Sequence, residues 1–307
     1  MRKVHREKAS WADWGIGMTV CIASYCYTER CFVCAVDQML STGDMSSESG
    51  AMKFSGLGSR WACMFACNDI APIKPMIREV RAALYDPDIV ETREEVVAAF
   101  KNAYDNQKKR KIEATVLPHG MNLDEFYEKG LERLGADTFT RILAQIQSVQ
   151  LDISFLVCGF SGSEPCLFTI CDPGCECDYD ILGFYAIGSG SNNALGSLFN
   201  LKGTPLNYRP LAEIVYRVCE AKFYAESAQG VGKTTTAFIV SETDRYILQD
   251  LEPLHAVWDA NSLRPVPIAS GPIVQNSLTV SPQKAKESRV QQIEAQTGGA
   301  TPSDSQT

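Results

Sequence analysis

The 307-residue sequence has no apolar run approaching the ~20 residues that a membrane-spanning helix requires. It also lacks an excess of positive charge. Against 29 lysines and arginines stand 37 aspartates and glutamates, a formal net charge of −8. That balance excludes the electrostatic footprint of a nucleic-acid or anionic-lipid binder. The start, "MRKVHREKASWADWGIGM", is basic but has no apolar segment, so no secretory signal is expected and the chain is assigned to the cytoplasm. There is no internal repeat. The cluster of Cys171, Cys175 and Cys177 is not followed by a second ligand pair at zinc-finger distance, so neither a metal nor another cofactor is expected. Twelve cysteines in a long chain without a leader read as free, buried thiols in a reducing compartment.

One motif is incomplete. "AQGVGKTTTAFIV" (228–240) contains the Gly-Lys-Thr run of a phosphate-binding loop, but the opening glycine is missing, because Ser227 stands five positions before Gly232. The flanks also run in the wrong order. Upstream, Leu211, Ile214, Val215, Val218, Ala221 and Tyr224 recur at helical spacing, and downstream the β-branched "TTTAFIV" reads as a strand. Helix, turn, strand offers no helix start to supply phosphate-facing amides. Lys233 is therefore expected to take no part in nucleotide binding, and Gly230 and Gly232 simply end a helix and open a turn.

What is present is an ordered series of elements. The pattern predicts strands over 19–27 and 31–37, then 52–57 and 60–67. Helices follow over 73–84 and 92–110, the second opened by a Thr92-x-x-Glu95 capping box, with more helix within 122–147. Strands at 151–160, 165–171 and 183–191, helices at about 192–200 and 209–228, and strands at 234–241 and 244–250 complete the series. The organisation read from this is an N-terminal extension or propeptide (1–18), one domain (19–272) and a C-terminal tail (273–307) too poor in large apolar residues to fold. Strands, helices, strands, helices, strands point to an α+β protein with two stacked, mainly antiparallel sheets, helices 73–147 on one outer face and 192–228 on the other.

Five motifs in order then resemble the proteasome β-type group of N-terminal-nucleophile hydrolases, including the bacterial proteasome-like proteins, over roughly residues 17–250. "MTVCIA" (18–23) is similar to the strand that begins with that family's nucleophilic threonine. "CAVD" (34–37) is similar to its second strand, and Lys53 follows Asp37 at the family's spacing of sixteen. "AIGSGS" (186–191) and "AESAQG" (225–230) resemble its glycine-serine turn and the segment with an acidic residue followed three positions later by a serine. The resemblance implies a four-layer αββα sandwich, peptide or unfolded protein as substrate and a homo-oligomeric ring, and it leaves room for an ATP-dependent regulator.

The implied chemistry is consistent with these residue types. A threonine hydroxyl is a weak nucleophile and needs a base. If Thr19 begins the mature chain, its α-amine, with a pKa of about 7.7–8.0, can take that proton. Lys53 would favour the ionised Thr19 oxygen, and Asp37 would orient Lys53 and keep it charged. The resemblance assigns the oxyanion-stabilising backbone N–H to Cys67, fourteen after Lys53, and the orientation of the amine to Ser189, Glu226 and Gln229. Three departures stand out: Met18 precedes Thr19 where the family cleaves after glycine, Glu226 and Gln229 replace aspartate and serine, and Cys67 replaces glycine. Met18-Thr19 looks like an initiator methionine before a small residue, whose removal would expose Thr19. Two alternatives stay open, a catalytically silent ring subunit and a hydrolase of small non-peptide amides on the same fold.

Overall fold

The computed structural model describes residues 19–42, 45–48, 53–58, 60–84, 91–248 and 251–262. The expected extension 1–18, the tail 273–307 and the domain limit at 272 lie outside these residues. The chain divides into two units, Met1–His255 and Ala256–Thr307; of the second, the described residues 256–262 continue a helix.

Two five-stranded, wholly antiparallel sheets make an α+β architecture. The first contains β1 (Cys21–Cys26), β2 (Cys31–Asp37), β10 (Phe184–Ile187), β11 (Thr235–Ser241) and β12 (Arg245–Leu248), in the order β10-β1-β2-β11-β12. The second runs β5-β6-β7-β8-β9, from β5 (Phe54–Leu57), β6 (Trp61–Cys67), β7 (Ile153–Ser161), β8 (Glu164–Cys171) and β9 (Cys175–Asp178). A separate hairpin pairs β3 (Met39–Thr42) with β4 (Met45–Glu48).

Alternation along the strands explains the stacking. Cys21, Ala23 and Tyr25 of β1, with Phe32, Cys34 and Val36 of β2, meet Ala62, Met64, Leu156, Cys158 and Phe160 of the second sheet in one buried cluster. Successive residues point to opposite faces, so the odd positions of β6 and β7 face the other way. There Trp61, Cys63, Phe155 and Val157 pack with Ile73, Met76 and Val80 of α1 (Ile73–Ala83) and Val96, Phe100 and Tyr104 of α2 (Arg93–Val116). On the outer side of the first sheet, α5 (Ser191–Phe199) and α6 (Leu211–Ala225) cover β1, and α6 also covers β2 and β11. Both faces of β1 and β2 are thus packed, which is why every residue of these strands is buried.

The element pattern departs from the sequence expectation in several places. The Thr92–Glu95 capping box is present, but α2 continues to Val116, because "KIEATV" has no glycine or proline to break it and Lys111, Glu113 and Ala114 favour helix. It stops at Pro118 and at Gly120, which takes the left-handed conformation (φ 71°). The helices α3 (Leu123–Leu134) and α4 (Ala136–Gln147) do not extend the layer over the second sheet as expected. They pack on α2 around their own small cluster of Val116, Met121, Phe126, Ile142 and Ile146. The strand expected over 183–191 ends at Ile187, and α6 ends at Ala225 rather than 228. The β3–β4 hairpin, β9 and α7 (Glu252–Ser262) had no periodic signal long enough to mark them. Among the described residues no helix is long and apolar enough to cross a membrane.

All twelve cysteines are free. Eight are buried, Cys67 and Cys171 are half-buried, and Cys175 and Cys177 are exposed on β9. A thiol titration of the native protein should therefore register two fast groups, with all twelve appearing only in denaturant. Twelve fast thiols in the native protein would contradict the packing of β1, β2, β6 and β7.

Candidate active site

The strand order gathers one set of side chains at one end of the sandwich. In the first sheet β10 ends, β1 begins, β2 ends and β11 begins at the same edge, because neighbouring strands run antiparallel. Thr19 lies just before β1, Asp37 closes β2, and Thr235 at the start of β11 pairs directly with Asp37. Lys53 precedes β5 at the edge of the second sheet, so it reaches this end from the facing layer.

Thr19, Asp37 and Lys53 are brought together and buried. The Lys53 Nζ donates to Thr19 Oγ1 at 2.5 Å and to both Asp37 oxygens at 3.0 and 3.1 Å. The Thr19 hydroxyl in turn donates to Asp37 Oδ1. Asp37 also accepts three backbone N–H groups, from Val20 (3.0 Å), Met39 (3.1 Å) and Gly232 (3.2 Å). Both carboxylate oxygens therefore receive three donors. With Lys53 and Asp37 almost wholly out of water, their pairing is far less screened than an exposed ion pair.

Ser189 approaches from the opposite side. The Thr19 N–H donates to Ser189 Oγ at 3.2 Å, and the Gly190 N–H donates to the Thr19 carbonyl at 3.1 Å. The serine hydroxyl lies 3.3 Å from that carbonyl and 3.2 Å from the carbonyl of Gln229. Such close approach requires glycine at 188. Gly188 has φ 95°, and a Cβ there would lie 2.3 Å from the Thr19 carbonyl oxygen. Gly188→Ala should cost about 1–3 kcal/mol from the backbone conformation alone, before the clash is counted. The control is Gly196→Ala, in α5 with open space around it, where about 0.5–1 kcal/mol of stabilisation is expected. Denaturant midpoints for the two variants should move in opposite directions; a common direction would contradict the tight packing at 188.

Glu226 and Gln229 are placed differently from the expectation. The Glu226 carboxylate does not reach Thr19; its Oε1 takes a hydrogen bond from Lys222 Nζ at 2.6 Å, and its Oε2 lies 3.7 Å from His255 Nε2. Lys222 and Glu226 are four residues apart at the end of α6, so they lie on one helix face, and this neighbour captures the carboxylate. Gln229 is exposed, and its backbone carbonyl, not its side chain, meets Ser189.

Cys67 raises two separate questions, its amide and its thiol. The Asn68 N–H donates to Asp152 O across β6 and β7, which makes Cys67 and Ile153 a non-hydrogen-bonded pair. The Cys67 N–H therefore points away from β7, toward the edge where the Phe65 N–H meets the Lys53 carbonyl at 3.3 Å. Its φ is not positive, so a glycine is not required for this orientation. The thiol is pushed up to about 11, chiefly by burial, against the opposing pull of the Lys53 ammonium. Burial drives the Cys21 thiol further up still. Both sulfurs are protonated at neutral pH and make poor nucleophiles.

The Gly-Lys-Thr run forms the turn into β11. It gives Asp37 the Gly232 N–H and meets the Gln38 N–H with the Thr234 carbonyl at 3.3 Å. No motif pointed to that amide or to Lys222, since both act through contacts between distant segments. No protein-family model matches the chain, and no curated protein matches it significantly.

Proposed function

We propose that the protein is an N-terminal threonine hydrolase of the proteasome β type, cleaving peptide amides within a ring-like homo-oligomer in the cytoplasm. One observation carries the proposal: a buried lysine ammonium lies 2.5 Å from a threonine hydroxyl and is held there by both oxygens of one aspartate. An ammonium so placed, besides countering the buried Asp37 carboxylate, stabilises an alkoxide as it forms on Thr19. The two stacked antiparallel sheets with helices outside them support the four-layer N-terminal-nucleophile architecture.

The chemistry follows from the groups present. Once the Met18–Thr19 bond is cut, the Thr19 α-amine takes the hydroxyl proton, directly or through one water. Thr19 Oγ1 then attacks the substrate carbonyl carbon while Lys53 offsets the developing charge on Oγ1. The Cys67 N–H is the candidate donor to the carbonyl oxygen as it becomes an oxyanion. As the C–N bond breaks, the α-ammonium returns its proton to the leaving amine, and a Thr19 ester remains. Water attacks that ester with the amine again as base, releasing the acid and restoring the hydroxyl. Ser189 Oγ, already in contact with Thr19 N, orients the amine.

A catalytically silent ring subunit is the second reading, favoured by the 2% exposure of Thr19 in the full chain, where its nitrogen is a peptide amide. The N-terminal residue of the protein purified from its source separates the two. Thr19 at the start supports the hydrolase, and an intact Met1 supports the silent subunit.

A further inference from the structure

Lys222 is 0% exposed, although lysine rarely sits fully out of water. Its ammonium donates to Glu226 Oε1 at 2.6 Å, to the Gly232 carbonyl at 2.8 Å and to the Lys233 carbonyl at 2.7 Å. An ammonium has three donors, and all three find acceptors here. The position suits a cation, since Lys222 lies in the last turn of α6 where the helix dipole is negative. Two of the acceptors are consecutive carbonyls of one turn, and the N–H of Gly232 in that turn points to Asp37 Oδ2 at 3.2 Å. Among the described residues, that amide is the one donor to Asp37 supplied from beyond residue 53.

We propose that Lys222 is a positioning residue for the Thr19 site. By gathering the carbonyls of Gly232 and Lys233, it turns the Gly232 N–H onto Asp37, and through Asp37 it holds Lys53 at the Thr19 hydroxyl. A neutral side chain at 222 takes the ammonium away from the buried Gly232 carbonyl and from the part-buried Lys233 carbonyl, and a buried acceptor that loses its donor is costly. The turn relieves this by rotating its peptides toward water, for which Gly230 (φ 80°) provides the pivot. The ladder between β2 and β11 holds from Thr235 onward, so the change stays local. Arginine does not substitute, because its planar fork cannot converge on three acceptors around one point.

The role in turnover rests on the threonine-hydrolase reading; the geometry of the turn does not. The test is therefore made twice. In the full chain, Lys222→Met should speed hydrogen exchange over residues 229–235 by at least about 10-fold while 21–36 keep their protection. In the matured protein the same variant should lower kcat by about 10- to 100-fold, the range for an outer residue that orients a reacting group, with KM nearly unchanged. Unchanged exchange over 229–235, or an equal rise throughout both sheets, overturns the proposal. So does a fall in thermal stability with kcat intact. If Lys222→Met does not fold, Lys222→Arg is read by the same criteria. If the wild-type protein shows no Thr19-dependent hydrolysis, the hydrolase reading fails, and the exchange contrast alone decides the role of Lys222.

Discussion

A protein whose first residue is Thr19 is expected to cleave peptide amides, whereas the full-length chain is expected to be inert. The difference lies in one nitrogen. In the full chain Thr19 N is an amide that donates to Ser189 Oγ, and an amide nitrogen has no lone pair free to accept a proton. Released as an amine with a pKa of about 7.7–8.0, it becomes a base near neutrality. The change is worth at least the ~10²–10⁴-fold typical of a positioned acid–base group. Intact mass would establish which form is present, and assays on a long peptide and a small amide would read the activity and separate peptidase from small-amide hydrolase. Thr19→Ala should abolish the activity of the form that begins at residue 19. Activity in an uncut chain that survives Thr19→Ala would mean that the chemistry lies elsewhere. Cys67→Ser would then be the next variant, although a thiol pushed up to about 11 is a weak candidate at neutral pH.

Lys53→Met is expected to reduce the activity of the matured protein at least ~100-fold, with the loss in kcat rather than KM. The ammonium contacts Thr19 Oγ1 and the Asp37 carboxylate, so its removal is felt as charge builds on the threonine oxygen. Stability has to be followed in parallel. Breaking a buried pair by removing one partner costs about 3–5 kcal/mol in general. Here Asp37 keeps the N–H groups of Val20, Met39 and Gly232, so the lower end of that range is expected. Thermal unfolding of the variant shows whether the folded state persists at assay temperature. A folded Lys53→Met protein retaining more than about a tenth of wild-type kcat would remove Lys53 from the mechanism.

The parts of this site that lie close along the chain, or that pair through regular strands, could be read from sequence. Asp37 closes a strand in which every residue is buried, and the hairpin from Thr19 needs only antiparallel pairing to bring those two together. The side-chain role expected of Glu226 did not emerge, and the cause was itself in the sequence: Lys222 stands four residues earlier on the same helix. The Gly232 amide could not be read, because nothing in "GVGKT" says which carboxylate its backbone will meet. Short elements were lost for a related reason. β9 is four residues at a sheet edge, "CECD", and so small a stretch shows alternation without an apolar face. The α3–α4 hairpin looked like part of the layer over the second sheet because helical periodicity reports that a helix buries a face, not what that face meets.

The direction of one hydrogen bond bears on latency. The single proton of the Thr19 hydroxyl is directed at Asp37 Oδ1, while Lys53 approaches the oxygen from its own donors. Five donor groups make six hydrogen bonds to the two Asp37 oxygens, the Thr19 hydroxyl among them. A carboxylate offers about four lone-pair directions, so this one is saturated. Under the proposed chemistry the uncut precursor is thus assembled but safe. It carries its nucleophile and its lysine in place, with the hydroxyl proton hydrogen-bonded to Asp37 and no free amine beside it to act as base. Cutting one peptide bond would then arm the site without any rearrangement of the sandwich, and on the proposed reading the interval between synthesis and that cut would be the time in which a precursor could reach a ring before it could act on other proteins.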